Sequence, residues 1–281
     1  MLSYRHAFHA GNHADVFKHW VLSLILEALG RKDKPYFVLD THAGAGRYAL
    51  ESSMARKNSE FSGGIGRIWR HPERFSALAP YLSAVRTTNP GEQIRSYPGS
   101  PRIIRHFLRP QDRLVLTELH PTDSVLLARE FEGDRQVRVE VRDGYEALKA
   151  LLPPSERRGL VHIDPAFERK DERPRLVQAL SEAHRRWSTG IYAIWYPIQD
   201  RGGADDLCRR IQRLQIPKTL VAECAIALPA RESLTGSGMI LINPPYPLEE
   251  QLREGLPALV DGLESPEGGS FRLEWLVPEK G

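Results

Sequence analysis

Apolar positions along the chain fall into short runs separated by amphipathic spacers, the pattern of strands alternating with helices in a parallel α/β sheet. Residues 36–40, 113–118, 137–141, 159–164 and 191–196 predict five such strands, and 218–228 and 238–243 predict two more. The connection 229–237 carries Pro229 and Gly236 and is too short for a helical crossover, so the last two strands form an antiparallel hairpin. The expected architecture is Rossmann-like α/β, a parallel sheet closed by that hairpin. The most apolar stretch, 20–29, is broken by Ser23 and Glu27 and reads as a helix buried on one side, too short to span a bilayer.

One spacer breaks the rhythm. Residues 41–112 separate the first two strands, where a crossover needs only about a dozen residues. Helix-like segments at 65–69 and 75–85 predict a small helical insertion subdomain at 51–96, placed after the first βα unit within one domain spanning 1–281. An insertion there leaves the sheet near its ligand-binding edge.

The candidate chemistry lies at successive strand ends. Asp40-Thr41-His42-Ala43-Gly44-Ala45-Gly46 follows the first strand, and glycines there allow a tight turn and close approach of a ligand to the backbone. A dinucleotide fold places its ribose-binding acid at the end of the very next strand, about twenty residues on. Here that region is the insertion, and the acid arrives as Glu118, suited to both hydroxyls of an adenosyl ribose. Asp143, followed by Gly144, ends the third strand and suits an adenine amine. This order favours S-adenosylmethionine over NAD, and an NAD-linked oxidoreductase is the weaker reading.

The fourth strand ends in Asp164-Pro165-Ala166-Phe167. An aromatic amine is a poor nucleophile because its lone pair is delocalised into the ring. A side-chain acceptor (Asp164) and a backbone carbonyl (Pro165) can each take one of its N–H groups, which orients the amine and stabilises the developing positive charge. Phe167 supplies a ring to stack on an extruded base. Asn243-Pro244-Pro245-Tyr246 is a rival of the same form. It ends the strand expected to run antiparallel, on the edge opposite the ligand site, so Asn243 is read as structural and Asp164 as catalytic.

Composition adds little: 41% hydrophobic and 27% charged residues suit a globular protein, and a net charge of +3 permits a nucleic acid without arguing for one. Cys208 and Cys224 have neither metal-ligand nor disulfide spacing and read as reduced buried thiols of a cytoplasmic protein, with no leader pattern at the amino terminus. The opening Tyr4-Arg5-His6-Ala7-Phe8-His9-Ala10-Gly11-Asn12-His13-Ala14-Asp15-Val16-Phe17-Lys18-His19 is rich in histidine but matches no zinc spacing, and no metal is expected. It reads as a polar segment lying over the ligand, with Asn12 capping a helix.

That opening, together with Leu39-Asp40-Thr41-His42-Ala43-Gly44-Ala45-Gly46-Arg47-Tyr48, Tyr97-Pro98-Gly99-Ser100-Pro101, Thr117-Glu118-Leu119-His120-Pro121, Asp143-Gly144 and Ile194-Trp195-Tyr196-Pro197, resembles the RlmJ family, the 23S ribosomal RNA adenine-N6 methyltransferases. The likeness runs over essentially the whole chain. It implies the class I S-adenosylmethionine-dependent methyltransferase fold and cofactor contacts from His19, His42, Ser100, Glu118, Asp143, Gly144 and Asp164. It also implies Asp164 as proton acceptor, Tyr4 as a residue that meets the substrate, beside the Pro165 and Phe167 read from the loop itself, and 23S ribosomal RNA as partner; no feature of the sequence argues for a dimer or a membrane attachment, so a monomer is expected. Where that family carries Asp-Pro-Pro-Tyr this chain has Asp164-Pro165-Ala166-Phe167. Methyl transfer to DNA adenine or protein glutamine uses related loops and stays open, as does an RNA-binding protein without catalysis, for which Ala166 is the only support.

Overall fold

The computed structural model describes residues 6–52, 54–55, 59–227, 234–263 and 268–279. The chain opens with α1 (His13–Gly30) and β1 (Phe37–Asp40), then turns through Gly44 and Gly46 into a short strand, β2 (Arg47–Ala49). After α2 (Ile65–Arg70) and α3 (Ala79–Thr87), β3 (Ser96–Pro98) returns antiparallel against β2 and leads into α4 (Ser100–Phe107). Regular alternation follows: β4 (Arg113–Thr117), α5 (Pro121–Glu130), β5 (Val137–Glu140), α6 (Gly144–Leu151), β6 (Gly159–Ile163), α7 (Glu172–Arg186), β7 (Ile191–Ile198) and α8 (Arg201–Gln212). The chain closes with β8 (Thr219–Ala225), β9 (Gly236–Ile242), α9 (Leu248–Leu263) and β10 (Ser270–Val277).

Eight strands make one sheet in the order β10-β8-β9-β7-β6-β1-β4-β5. β1, β4, β5, β6 and β7 run parallel, and β9 pairs antiparallel with both β7 and β8, as the short hairpin connection predicts. The pleat explains the continuous apolar runs of the inner strands. Val38, Leu114, Leu116 and Leu160 face a core shared with α1, whereas Phe37, Leu39, Val115 and Val161 face the opposite core. A parallel sheet covered on both faces needs apolar residues at both parities.

Three features depart from the sequence reading. The glycine turn opens no helix. The crossover helix of the first unit is α4, so the intervening elements sit inside that unit, and β2 and β3 form their neck. Secondly, α1 is buried on every side from Ala14 to Leu26, because α3, α4, α9 and the sheet all pack against it. Thirdly, β10 adds an eighth, antiparallel strand at the edge beside β8. Phe271 and Trp275 on it stay exposed, and only Leu276 and Val277 are buried, so the strand lacks the apolar run that marks the inner ones.

Candidate active site

The carboxyl ends of the parallel strands open into a cavity of about 990 Å³, large enough for a nucleoside-sized ligand beside a second base. Gly44, at φ +62, makes the turn after β1, and a Cβ there would sit 2.3 Å from the Tyr48 hydroxyl. Its N–H donates to Glu118 Oε2 at 2.8 Å, and the His120 N–H donates to Oε1 at 2.7 Å. The carboxylate at the end of β4 is thereby fixed, and each oxygen keeps a lone pair for a ligand hydroxyl. The neck explains Ser100: the Gly99 N–H donates to Gly46 O at 3.0 Å, which brings the start of α4 against the glycine turn. Ser100 Oγ then donates to Asp40 Oδ2 at 2.7 Å, and His162 Nδ1 lies 3.2 Å from Asp40 Oδ1 in a fully buried cluster.

Asp143 caps α6, accepting from the N–H groups of Tyr145 and Glu146, while Arg175 holds its other oxygen at 3.1 Å. Burial alone would raise the Asp143 carboxyl, but these hydrogen bonds keep it below the ordinary carboxylate range. Gly144 is required by close approach, since a Cβ would fall 2.3 Å from Thr41 O. His42 packs edge-on to Tyr145 and shares a 2.8 Å contact with Thr41 Oγ1. His19 lies beneath the cavity, 2.7 Å from the Tyr97 hydroxyl. Burial lowers the pKa of both imidazoles, which keeps them neutral.

At the other end of the cavity stands Asp164, which the pleat turns to the same side as Leu160 and hence towards α1. Lys18 Nζ donates to Asp164 Oδ2 at 2.7 Å and contacts Asp15 Oδ1 at 2.8 Å, with the lysine side chain only 4% exposed. Asp15 Oδ2 accepts from the Gly11 N–H and from His6 Nε2, and Asn12 caps α1 as expected. Burial penalises the Asp15 charge, yet His6 and Lys18 hold its carboxyl well below the ordinary range. The same ammonium lies 5.1 Å from the centre of the Trp195 ring, and Phe167, at φ +53, meets that ring edge-on at 6.1 Å. Ala166 is exposed.

Every site residue expected from the sequence, Tyr4 excepted, borders this one cavity; Tyr4 lies outside the described residues. Asn243 does not. Its Nδ2 donates to Ser188 O and Gly190 O, both at 2.8 Å, ahead of the start of β7 and on the opposite edge of the sheet. Sequence reasoning gave no role to Asp15, Lys18, Asp40, His162 or Trp195. Two charges at i and i+3 in an otherwise apolar helix start were the available signal for the first pair.

A family model described as "Ribosomal RNA large subunit methyltransferase D, RlmJ" matches residues 33–277. The chain belongs to the RlmJ family. It is 48% identical over 280 residues to Ribosomal RNA large subunit methyltransferase J of Escherichia coli K12, covering 99% of this chain and 100% of that protein. The protein of the same name from Haemophilus influenzae is 46% identical over 282 residues, again covering 99% of this chain and all of the relative. A crystal structure of a Legionella pneumophila protein superposes with a TM-score of 0.89 at 36% identity, covering 95% of this chain and 98% of that one. Membership in the RlmJ family makes this chain a class I methyltransferase of large-subunit ribosomal RNA with S-adenosylmethionine as methyl donor, and removes the dinucleotide reading.

Proposed function

We propose that this chain methylates the exocyclic N6 amine of an adenine in 23S ribosomal RNA, with Asp164 as the acceptor of the amine proton. The single observation that carries the reading is the sharing of one cavity by the strand-end set Gly44, Ser100, Glu118 and Asp143 and by the Asp164 loop. The residues fit S-adenosylmethionine. Glu118, fixed by two backbone N–H groups, would hold the ribose hydroxyls; Asp143 and Gly144 would hold the adenine; and His19, His42 and Ser100, which line the same cavity, would hold the rest. When bound, S-adenosylmethionine supplies the electrophilic methyl group.

This chain's own residues do the remainder. Lys18 occupies Asp164 Oδ2, so Oδ1 is left to accept one N–H of the amine while the Pro165 carbonyl takes the other. That pair fixes the nitrogen and stabilises the positive charge as it forms. Asp164 then takes the proton the nitrogen must lose. Phe167 and Trp195 offer two rings to the incoming base, and the family likeness assigns Tyr4 to the RNA substrate. Residues 51–96 act as a helical insertion subdomain of a single methyltransferase domain. The protein works as a monomer in the cytoplasm, a compartment that suits its two buried free thiols; no helix among the described residues is long and apolar enough to cross a membrane.

Incubation with labelled S-adenosylmethionine and a choice of deproteinised 23S RNA or duplex DNA tests the reading. The label should enter the RNA. Efficient labelling of DNA with none in the RNA would overturn it.

A further inference from the structure

The net charge of the chain is not spread evenly. Residues 51–96 hold seven basic and four acidic side chains, a surplus of three, and the whole chain's surplus is also three. The other 235 residues are therefore neutral as a body.

Two of those basic residues, Arg56 and Lys57, lie outside the described residues; among the rest, Arg67, Arg70 and Arg74 follow one another along α2 and the turn after it. Gly63 and Arg67 border the active-site cavity, and α2 leads outward from there through Arg70 to the turn bearing Arg74. Both Arg70 and Arg74 are exposed, and neither has an acidic partner among the described residues; Arg70 Nε donates only to Gly66 O, at 2.9 Å. Other arginines at the cavity mouth are neutralised: Arg142 by Glu140 at 3.3 Å, Arg169 by Asp171 at 3.0 Å and Arg175 by Asp143 at 3.1 Å. Glu60, the acid of this segment that borders the cavity, is engaged by His9 Nδ1 at 2.8 Å and by Asn12 Nδ2 at 3.0 Å. Arg70 and Arg74 therefore add exposed positive charge beside the mouth, outward from the Arg67 that borders it.

That side is also held in a fixed relation to the chemistry. The Ile65 N–H donates to Gly11 O at 2.8 Å, and a Cβ on Gly64 would fall 2.1 Å from the same oxygen, so the start of α2 lies directly against the loop that leads into α1. Lys18, on α1, reaches Asp164. An arginine track anchored in this way can set the register of a nucleic-acid backbone relative to the target base, which is what phosphate contacts contribute.

We propose that α2 and the turn after it form the RNA-backbone surface of this enzyme, with Arg70 and Arg74 contacting phosphates next to the methylated adenine. The inference rests on the ribosomal RNA reading above and assigns the insertion its part in it. Each lost phosphate contact should lower the salt dependence of RNA binding by about 0.7 to 0.9 in log–log slope.

The test is an Arg70→Gln/Arg74→Gln double variant, assayed for KM towards unmodified 23S RNA from about 50 to 200 mM KCl, with S-adenosylmethionine affinity measured separately by calorimetry. The control is Arg185→Gln/Arg213→Gln, which removes two exposed arginines from the opposite edge of the sheet. The proposal expects a KM for RNA raised about tenfold and a slope reduced by about 1.5 in the first variant. It also expects unchanged cofactor affinity there, and a control that matches the wild type. A KM and slope equal to those of the wild type, or an equal effect in the control, would overturn it. If the wild type methylates no 23S RNA, the functional reading fails instead; if the wild type is active and the double variant behaves like it, the surface assignment alone falls.

Discussion

Replacing Lys18 by Met removes one cation from between two carboxylates while keeping the volume of its stem. The ammonium stands 2.8 Å from Asp15 and 2.7 Å from Asp164. At an effective dielectric of about 20, each contact represents about 6 kcal/mol of Coulomb attraction, most of it offset by the cost of withdrawing the ions from water. Truncating one member of a buried pair typically costs about 3–5 kcal/mol, because the partner charge is left uncompensated. Asp15 keeps His6 and the Gly11 N–H, so the lower end, about 3 kcal/mol, is expected. With an unfolding entropy of about 2 cal/mol/K per residue, that lowers Tm by about 5 °C. Asp164→Asn leaves the Lys18–Asp15 contact intact and should lower Tm by only about 2 °C. Activity should follow a different order: Lys18→Met lowers kcat by about a hundredfold as Asp164 loses its fixed orientation. Thermal unfolding of both variants beside single-turnover methyl transfer measures all of this. A Lys18→Met protein that melts within 1 °C of wild type, or one less destabilised than Asp164→Asn, would refute the claim that this lysine holds the carboxylates in place.

Glu118→Ala should weaken S-adenosylmethionine binding by about ten- to a hundredfold in calorimetry, as the charged acceptor fixed by Gly44 and His120 is lost, with little change in Tm. Asn243→Ala should lower stability by about 2–3 kcal/mol, through two lost hydrogen bonds and an alanine forced to φ +53, yet leave methyl transfer per folded molecule intact; loss of turnover in the folded variant would make the Asn-Pro-Pro-Tyr loop functional after all. His13 supplies a pH test. Burial holds its imidazole neutral down to about 4, against an ordinary 6.5. Between those values the unfolded chain binds a proton the folded chain refuses, so stability falls as pH drops from 6.5 to about 4. Denaturant unfolding across that window should show a shallower slope in His13→Gln, and an unchanged slope would count against the assignment.

Legibility from sequence followed the range of the interaction. The strand ends could be read because each acid or glycine closes its own apolar run, so Glu118, Asp143 and Asp164 declare their edge of the sheet locally. The choice of Asp164 over Asn243 needed only strand direction, which the short hairpin connection supplies. Ser100 came from the family likeness alone, since its place depends on the β2–β3 neck, whose three-residue strands carry no usable period. Lys18 and Asp164 are 146 residues apart, and no local pattern links them. The Asp40–His162 contact arises from cross-strand register between β1 and β6, which periodicity cannot assign. β10 escaped because an edge strand with one covered face alternates too weakly to be told from a polar tail.

The most direct test of the central claim is nucleoside analysis of unmodified 23S RNA after incubation with labelled S-adenosylmethionine and either the wild-type protein or Asp164→Ala. N6-methyladenosine is expected from the wild type and a rate at least about a hundredfold lower from the variant, with cofactor binding retained. Labelled N6-methyladenosine formed equally by both proteins, or label found in a different nucleoside, would contradict it.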